Sequence, residues 1–273
     1  MLMIVTCVGL CLVLSGVATL RYYMSLRATK TLTVQGLDGL RQLIEIIKLI
    51  QQHRALHGGY INGNREFGQK LTLLEADLNH RFDQLEQLQE RSKLPYELGT
   101  KSLHAKWQHL LNRSFQSSEH SFAAHSTLIS RALDGLWEIA DKFSLTTSQD
   151  AEVRNLANKM VKALPELTES LAQIRGLSVQ VAARHAISAD KKLQLMYILA
   201  RIDERLSTLT PYFPEPHQQQ LKAFLQIIRS GTENANLGEQ DPDYLFKEST
   251  QVIDKLYDCI LEGFQSINQK VSA

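Results

Sequence analysis

Two arginines and a pair of histidines are the side chains of this sequence best placed to do chemistry. Arg54 lies in Ile50-Gln51-Gln52-His53-Arg54-Ala55-Leu56-His57, and Arg175, 121 positions later, in Leu171-Ala172-Gln173-Ile174-Arg175-Gly176-Leu177-Ser178. Aligned on the arginines, Leu43 falls over Leu164, Ile46 over Leu167, Ile50 over Leu171, Gln52 over Gln173 and Leu56 over Leu177, which is the pattern of an internal duplication. A guanidinium beside an apolar stripe is costly unless something pairs with it, and its planar donor fork suits carboxylate, phosphate or another small oxyanion. One such arginine per repeat points to an anion site. Two structural readings compete with it: Arg54, near a helix C-terminus, could pack its stem and send its head to water, and Arg175, mid-helix, could pair with a carboxylate such as Glu169.

His53 and His57 have the i, i+4 spacing that can chelate a metal from one helical face. No third ligand is evident, because His104, His109, His120 and His125 fall at other spacings. A polar pocket lining, or plain surface histidines, is the better reading, and no metal or cofactor is expected. Nothing points to an enzyme: there is no nucleophile elbow, phosphate-cradling glycine loop, zinc signature or kinase motif. Cys259, beside Asp258, lacks the electropositive neighbour that would activate a thiol.

The elements that must position these residues are helices. After residue 33 apolar residues recur at three and four, strand-like alternation is absent, and Gly, Pro, Ser and Asn gather between the periodic stretches. The pattern predicts a first helix over 33–57 with one seam of Leu40, Leu43, Ile47, Ile50, Arg54 and His57, ended by the Gly58-Gly59 segment acting as C-cap and turn. Further helices are expected over 65–92, 98–113 and 118–145. A long helix over 150–186 is kinked or broken at Pro165. Ser188 caps the next, to about 210, followed by one over 217–230, a polar loop over 231–240, and a last helix opened by Asp241-Pro242. The fold class expected is all-α, with two packed antiparallel four-helix bundles over 33–147 and 148–273.

Residues 1–32 form a separate unit. Leu2 to Leu20 carry no charge, and 19 helical residues span about 28 Å, close to the hydrocarbon thickness of a bilayer. An uncleaved transmembrane anchor is expected; a cleaved signal is the alternative, although a charged n-region is missing and Gly16-Val17-Ala18 is a poor cleavage site. Arg21, Arg27 and Lys30 follow the run and no basic residue precedes it, so a single-pass inner-membrane topology with the helical domain in the cytoplasm is expected. Without those three residues, 27 Lys+Arg face 29 Asp+Glu, a balance that does not suit nucleic acid. Lone Cys259 leaves the domain no disulfide framework.

Three segments together resemble the nitrate- and nitrite-sensing (NIT) domain family: Leu49 to Leu56 leading to Gly63, Leu171 to Ser178, and Asp241-Pro242-Asp243-Tyr244-Leu245-Phe246 followed by Thr250 and Ile253. The resemblance implies a planar anion, nitrate or nitrite, held by arginines in a cleft between two four-helix bundles. Arg54 and Arg175 match the family's arginines in the first helix and in the long helix of the second half, and Arg229 is the nearest counterpart of a later one. His53 stands where a second arginine can occur, and Ala55 where a glycine is usual. Family members pass the signal to an attached output segment, and this chain ends about 20 residues beyond Thr250. The expectation is therefore a membrane-anchored sensory module acting through a separate signalling protein, with a homodimer possible. A membrane-anchored helical scaffold with structural arginines is the alternative.

Overall fold

The computed structural model describes the backbone of residues 2–92 and 99–272, with side chains from residue 14 onward except 25, 26, 28, 29, 32, 92–98, 211 and 273. The described residues are helical, with no strand: α1 (Leu2–Ile61), α2 (Phe67–Ser92), α3 (Thr100–Leu111), α4 (Ser118–Lys142), α5 (Ala151–Asn158), α6 (Leu164–Ala183), α7 (Ala189–Leu209), α8 (Glu215–Glu233) and α9 (Pro242–Ser272). The all-α expectation holds.

Two helices form the centre. From residue 36 to 59 α1 is buried on nearly every side, and α6 is buried along most of its length. The expected single seam on α1 was too narrow: Ile44 and Ile46 are as fully buried as Ile47 and Ile50. A helix packed on more than one side buries more than one stripe. α1 lies against α2 and α4 on one side and against α6 and α9 on the other, while α6 also packs on α7 and α9. One continuous apolar core runs from Leu37 to Ile267 through both halves. Its fully buried Trp107 anchors α3, donating its indole N–H to Asn79 of α2 at 2.9 Å.

The glycines of Gly58-Gly59 do not end α1, contrary to the sequence reading. They lie inside it, where a Cβ on Gly59 would come within 2.6 Å of the Phe67 ring and one on Gly58 within 2.6 Å of the Gln180 amide. Close approach, not turn geometry, is what they supply. The turn comes at Gly63, whose φ of 113° lies where L-residues are strained. The break expected at Pro165 is present, and one other boundary differs. Pro165 is accommodated by an i→i+5 segment, Lys159–Ala163, between α5 and α6, because its ring crowds the carbonyl four residues back. The stretch expected as a polar loop after residue 231 continues α8 to Glu233, then makes a 3₁₀ turn, Leu237–Glu239, that plugs fully buried Leu237 into the core. α9 opens as read: Asp241 accepts from the backbone N–H groups of Asp243 and Tyr244.

The first part of α1 projects beyond the core, with Leu14, Val17 and Leu20 exposed. Most of the anchor candidate, residues 2–13, has side chains outside the described residues. Among the described residues no helix is long and apolar enough to cross a membrane.

Candidate functional site

The central pair of helices brings Arg54 and Arg175 into the interior, both with 0% exposure. Arg54 is clamped. Its Nη1 donates to Glu169 Oε1 at 2.6 Å and its Nη2 to Glu169 Oε2 at 3.2 Å, a bidentate pair across the α1–α6 contact. Nη1 also donates to Ser126 Oγ at 2.9 Å, and the guanidinium lies over the Phe122 ring at 4.8 Å. Gln51 and Gln173 donate to the same carboxylate at 3.0 and 2.8 Å. Every hydrogen bond to Glu169 is thus donated by nitrogen, as an ionised carboxylate requires. Neither structural expectation survives as it stood: the head of Arg54 does not reach water, and Glu169 pairs with Arg54, not with Arg175.

Arg175 is held loosely by comparison. Its Nη1 donates to Thr250 Oγ1 at 3.0 Å and its guanidinium lies 5.4 Å from the Phe246 ring. Among the described residues its buried Nε and Nη2 have no hydrogen-bond partner. Burial, and then repulsion from Arg54, lower its pKa to about 10, so it remains a cation at neutral pH.

The surroundings of the two arginines correspond. Phe122 and Ser126, four apart on α4, do for Arg54 what Phe246 and Thr250, four apart on α9, do for Arg175. The correspondence fails at one place. Glu169, which clamps Arg54, stands six residues before Arg175; six residues before Arg54 stands Lys48, which pairs with Asp254 at 3.1 Å. The position that would supply a carboxylate to Arg175 carries a cation instead.

Behind Arg54 lies a histidine cluster whose key member, His125, the sequence reading passed over as badly spaced. His125 Nδ1 is 2.7 Å from the Ser121 carbonyl, which can only accept, so that nitrogen donates and Nε2 accepts. His53 Nδ1 therefore donates to His125 Nε2 at 2.8 Å, leaving His53 Nε2 facing Glu75 Oε1 at 3.1 Å. Burial and then His57 push the His53 pKa down to about 3, while burial raises that of Glu75. Burial and then His53 hold His125 well below its ordinary value. His53 stacks on His57 at 5.4 Å, and His57 Nδ1 lies 2.7 Å from Ser121 Oγ. His53 thus touches the wall beside Arg54, with no described hydrogen bond to either arginine. Among the described residues no group of three His, Cys, Asp or Glu could hold a metal.

A polar cleft of about 300 Å³ between α4, α6 and α7 reaches this site from outside. Ser126 and Glu169, both partners of Arg54, form part of its lining, with Ser130, Gln173, Arg201 and Arg205 around them. Arg229 is placed elsewhere: on α8 its Nη2 donates to both oxygens of Asp203, at 3.1 and 2.8 Å, in a half-exposed pair, and it is not among the groups around Arg54 and Arg175.

A protein-family model described as nitrate and nitrite sensing matches residues 45–262, well over half of the chain. That span takes in both arginines, Glu169 and Thr250. No curated protein and no solved structure matches.

Proposed function

Since the chain belongs to the nitrate and nitrite sensing family, we propose that it binds nitrate or nitrite at Arg175, inside the contact of α1, α6 and α9, and signals through a separate protein. The observation that carries this reading is the unequal satisfaction of the two arginines. Among the described residues Arg54 has a carboxylate and Arg175 has none, and the buried donors without a hydrogen-bond partner are Nε and Nη2 on Arg175 against Nε alone on Arg54. Nitrate and nitrite are planar, monovalent and oxygen-rich, so either supplies the acceptors that a carboxylate would. An anion there ties α6 to the Thr250 segment of α9, and Arg54 contributes a second positive field. The matched Phe–Ser and Phe–Thr settings support the view that two four-helix halves, meeting at α1 and α6, arose by duplication.

The helical scaffold with structural arginines explains Arg54 but leaves the open donors of Arg175 without a purpose. The surroundings of the domain belong to the same proposal. The uncharged run 2–20, the exposure of Leu14, Val17 and Leu20, and the basic residues Arg21, Arg27 and Lys30 fit a single-pass anchor with the domain in the cytoplasm. In that setting a membrane-bound partner, or a second copy of the chain, carries the signal onward.

The test is thermal unfolding of the protein in nitrate, nitrite and chloride at matched ionic strength. Nitrate at 100 times its dissociation constant should stabilise the fold by about 2.7 kcal/mol relative to chloride. Equal melting temperatures in all three salts refute the sensor reading.

A further inference from the structure

Glu169 is more than a tether for Arg54, because its charge determines how much anion the site can take. Among the described residues three buried charges meet at the site, Arg54, Arg175 and Glu169, while the other buried cation, Lys191, lies apart from them, 3.6 Å from Glu119. The neighbouring ionisable groups cancel or are neutral. Asp254 is matched by Lys48 at 3.1 Å, Glu45 faces Arg81 at 4.0 Å, Tyr257 is fully buried and donates its hydroxyl to Gln51 at 2.9 Å, and the histidines behind Arg54 are neutral imidazoles. The interior therefore carries one net positive charge. Because an unmatched charge in a low-dielectric interior is expensive, the occupant that closes the balance carries one negative charge. Glu169 is also the part of the pair that lines the polar cleft.

Resting on the oxyanion reading above, we propose that Glu169 is the specificity-determining residue of the site, excluding divalent oxyanions such as sulfate and admitting monovalent ones. The carboxylate does so by occupying one of the two guanidiniums. A site with both guanidiniums free would carry two positive charges and match sulfate.

The experiment measures nitrate and sulfate binding by titration calorimetry on the parent and on Glu169→Gln, at constant ionic strength with chloride as the balancing salt. The parent should prefer nitrate, and in Glu169→Gln the ratio of nitrate to sulfate affinity should fall at least tenfold through a gain in sulfate binding. A folded Glu169→Gln protein that keeps the parent's ratio overturns the proposal. Glu169→Gln leaves two buried cations unpaired; should it not fold, the double variant Arg54→Gln/Glu169→Gln restores one net positive charge. Its affinity for nitrate falls but its preference over sulfate stays, and a shift toward sulfate there also overturns the idea. If the parent binds no nitrate, the oxyanion reading fails by itself. The charge rule is then judged on sulfate: binding gained in Glu169→Gln upholds it, and no gain refutes it.

Discussion

Arg54 and Arg175 occupy equivalent places in two similar stretches of sequence, equally buried and each beside a phenylalanine and a hydroxyl, yet their chemistry differs. Around Arg54 the protein completes its own salt bridge, with Glu169 held by four N–H donors from Arg54, Gln51 and Gln173. Around Arg175 one hydroxyl is the only described hydrogen-bond acceptor. The difference comes from single positions, glutamate in one half against lysine in the other, and on the reading proposed above it divides two similar settings into a clamp and a receptor. A clamp should matter to stability and a receptor to ligand response.

The largest expected effect follows directly. Arg54→Met leaves the Glu169 carboxylate buried without its cation and should destabilise the empty protein by about 3–5 kcal/mol, lowering its melting temperature by on the order of 10 °C. Arg175→Met removes a buried cation that has no carboxylate partner, so the empty protein should melt at the parent temperature or above it, while the nitrate-induced shift disappears. Differential scanning calorimetry of both variants with and without nitrate compares them directly. Equal losses of stability would erase the distinction between clamp and receptor.

The sequence showed part of this. The arginine stretches, the helical periodicity and the Asp241-Pro242 start were legible because they depend on local spacing, and the structure places them as read. The histidine cluster was not, since His125 reaches His53 from another helix, and i, i+4 spacing carries no information about such a meeting. Nor was the true partner of Arg54. Glu169 lies six residues before Arg175 on the same helix, which made it look local, whereas the crossing of α1 over α6 hands it to the other arginine. Gly58 and Gly59 misled for a similar reason: glycine marks a turn or a close contact, and only tertiary packing decides which.

A smaller effect sharpens the comparison through pH, since the histidines lie on the Arg54 side. Burial moves the pKa of His53 down and that of Glu75 up, so the acid responses of these two neighbours oppose each other. His125 has no such opposing neighbour: its pKa is lowered by burial, then by His53, so the fold refuses a proton that the unfolded chain takes up below about 6.5. Stability contributed by the neutral His125 is present above that value and is lost as pH falls through it, about 2 kcal/mol by pH 5. Chemical denaturation at pH 7 and pH 5 should show this loss in the parent and a shallower one in His125→Gln. An unchanged pH slope in that variant would detach the cluster from the acid response.

The smallest effect separates interior arginines from a surface one. Arg229 shares residue type and partner type with Arg54, since both donate twice to a carboxylate, Arg54 through two nitrogens and Arg229 through one. The surroundings differ: Arg54 is fully buried, whereas the side chains of Arg229 and Asp203 are 35% and 52% exposed. Water solvates the separated partners there nearly as well as they solvate each other, and two long side chains lose rotamer freedom in the pairing. Exposed ion pairs accordingly contribute about 0–1 kcal/mol. Arg229→Ala should shift the melting temperature by no more than a few degrees and leave the nitrate response at its parent value. A lost nitrate response in a folded Arg229→Ala protein would mean that α8 swings its arginine into the site when the anion binds, and the receptor would then comprise more than Arg175 and its neighbours on α1 and α9.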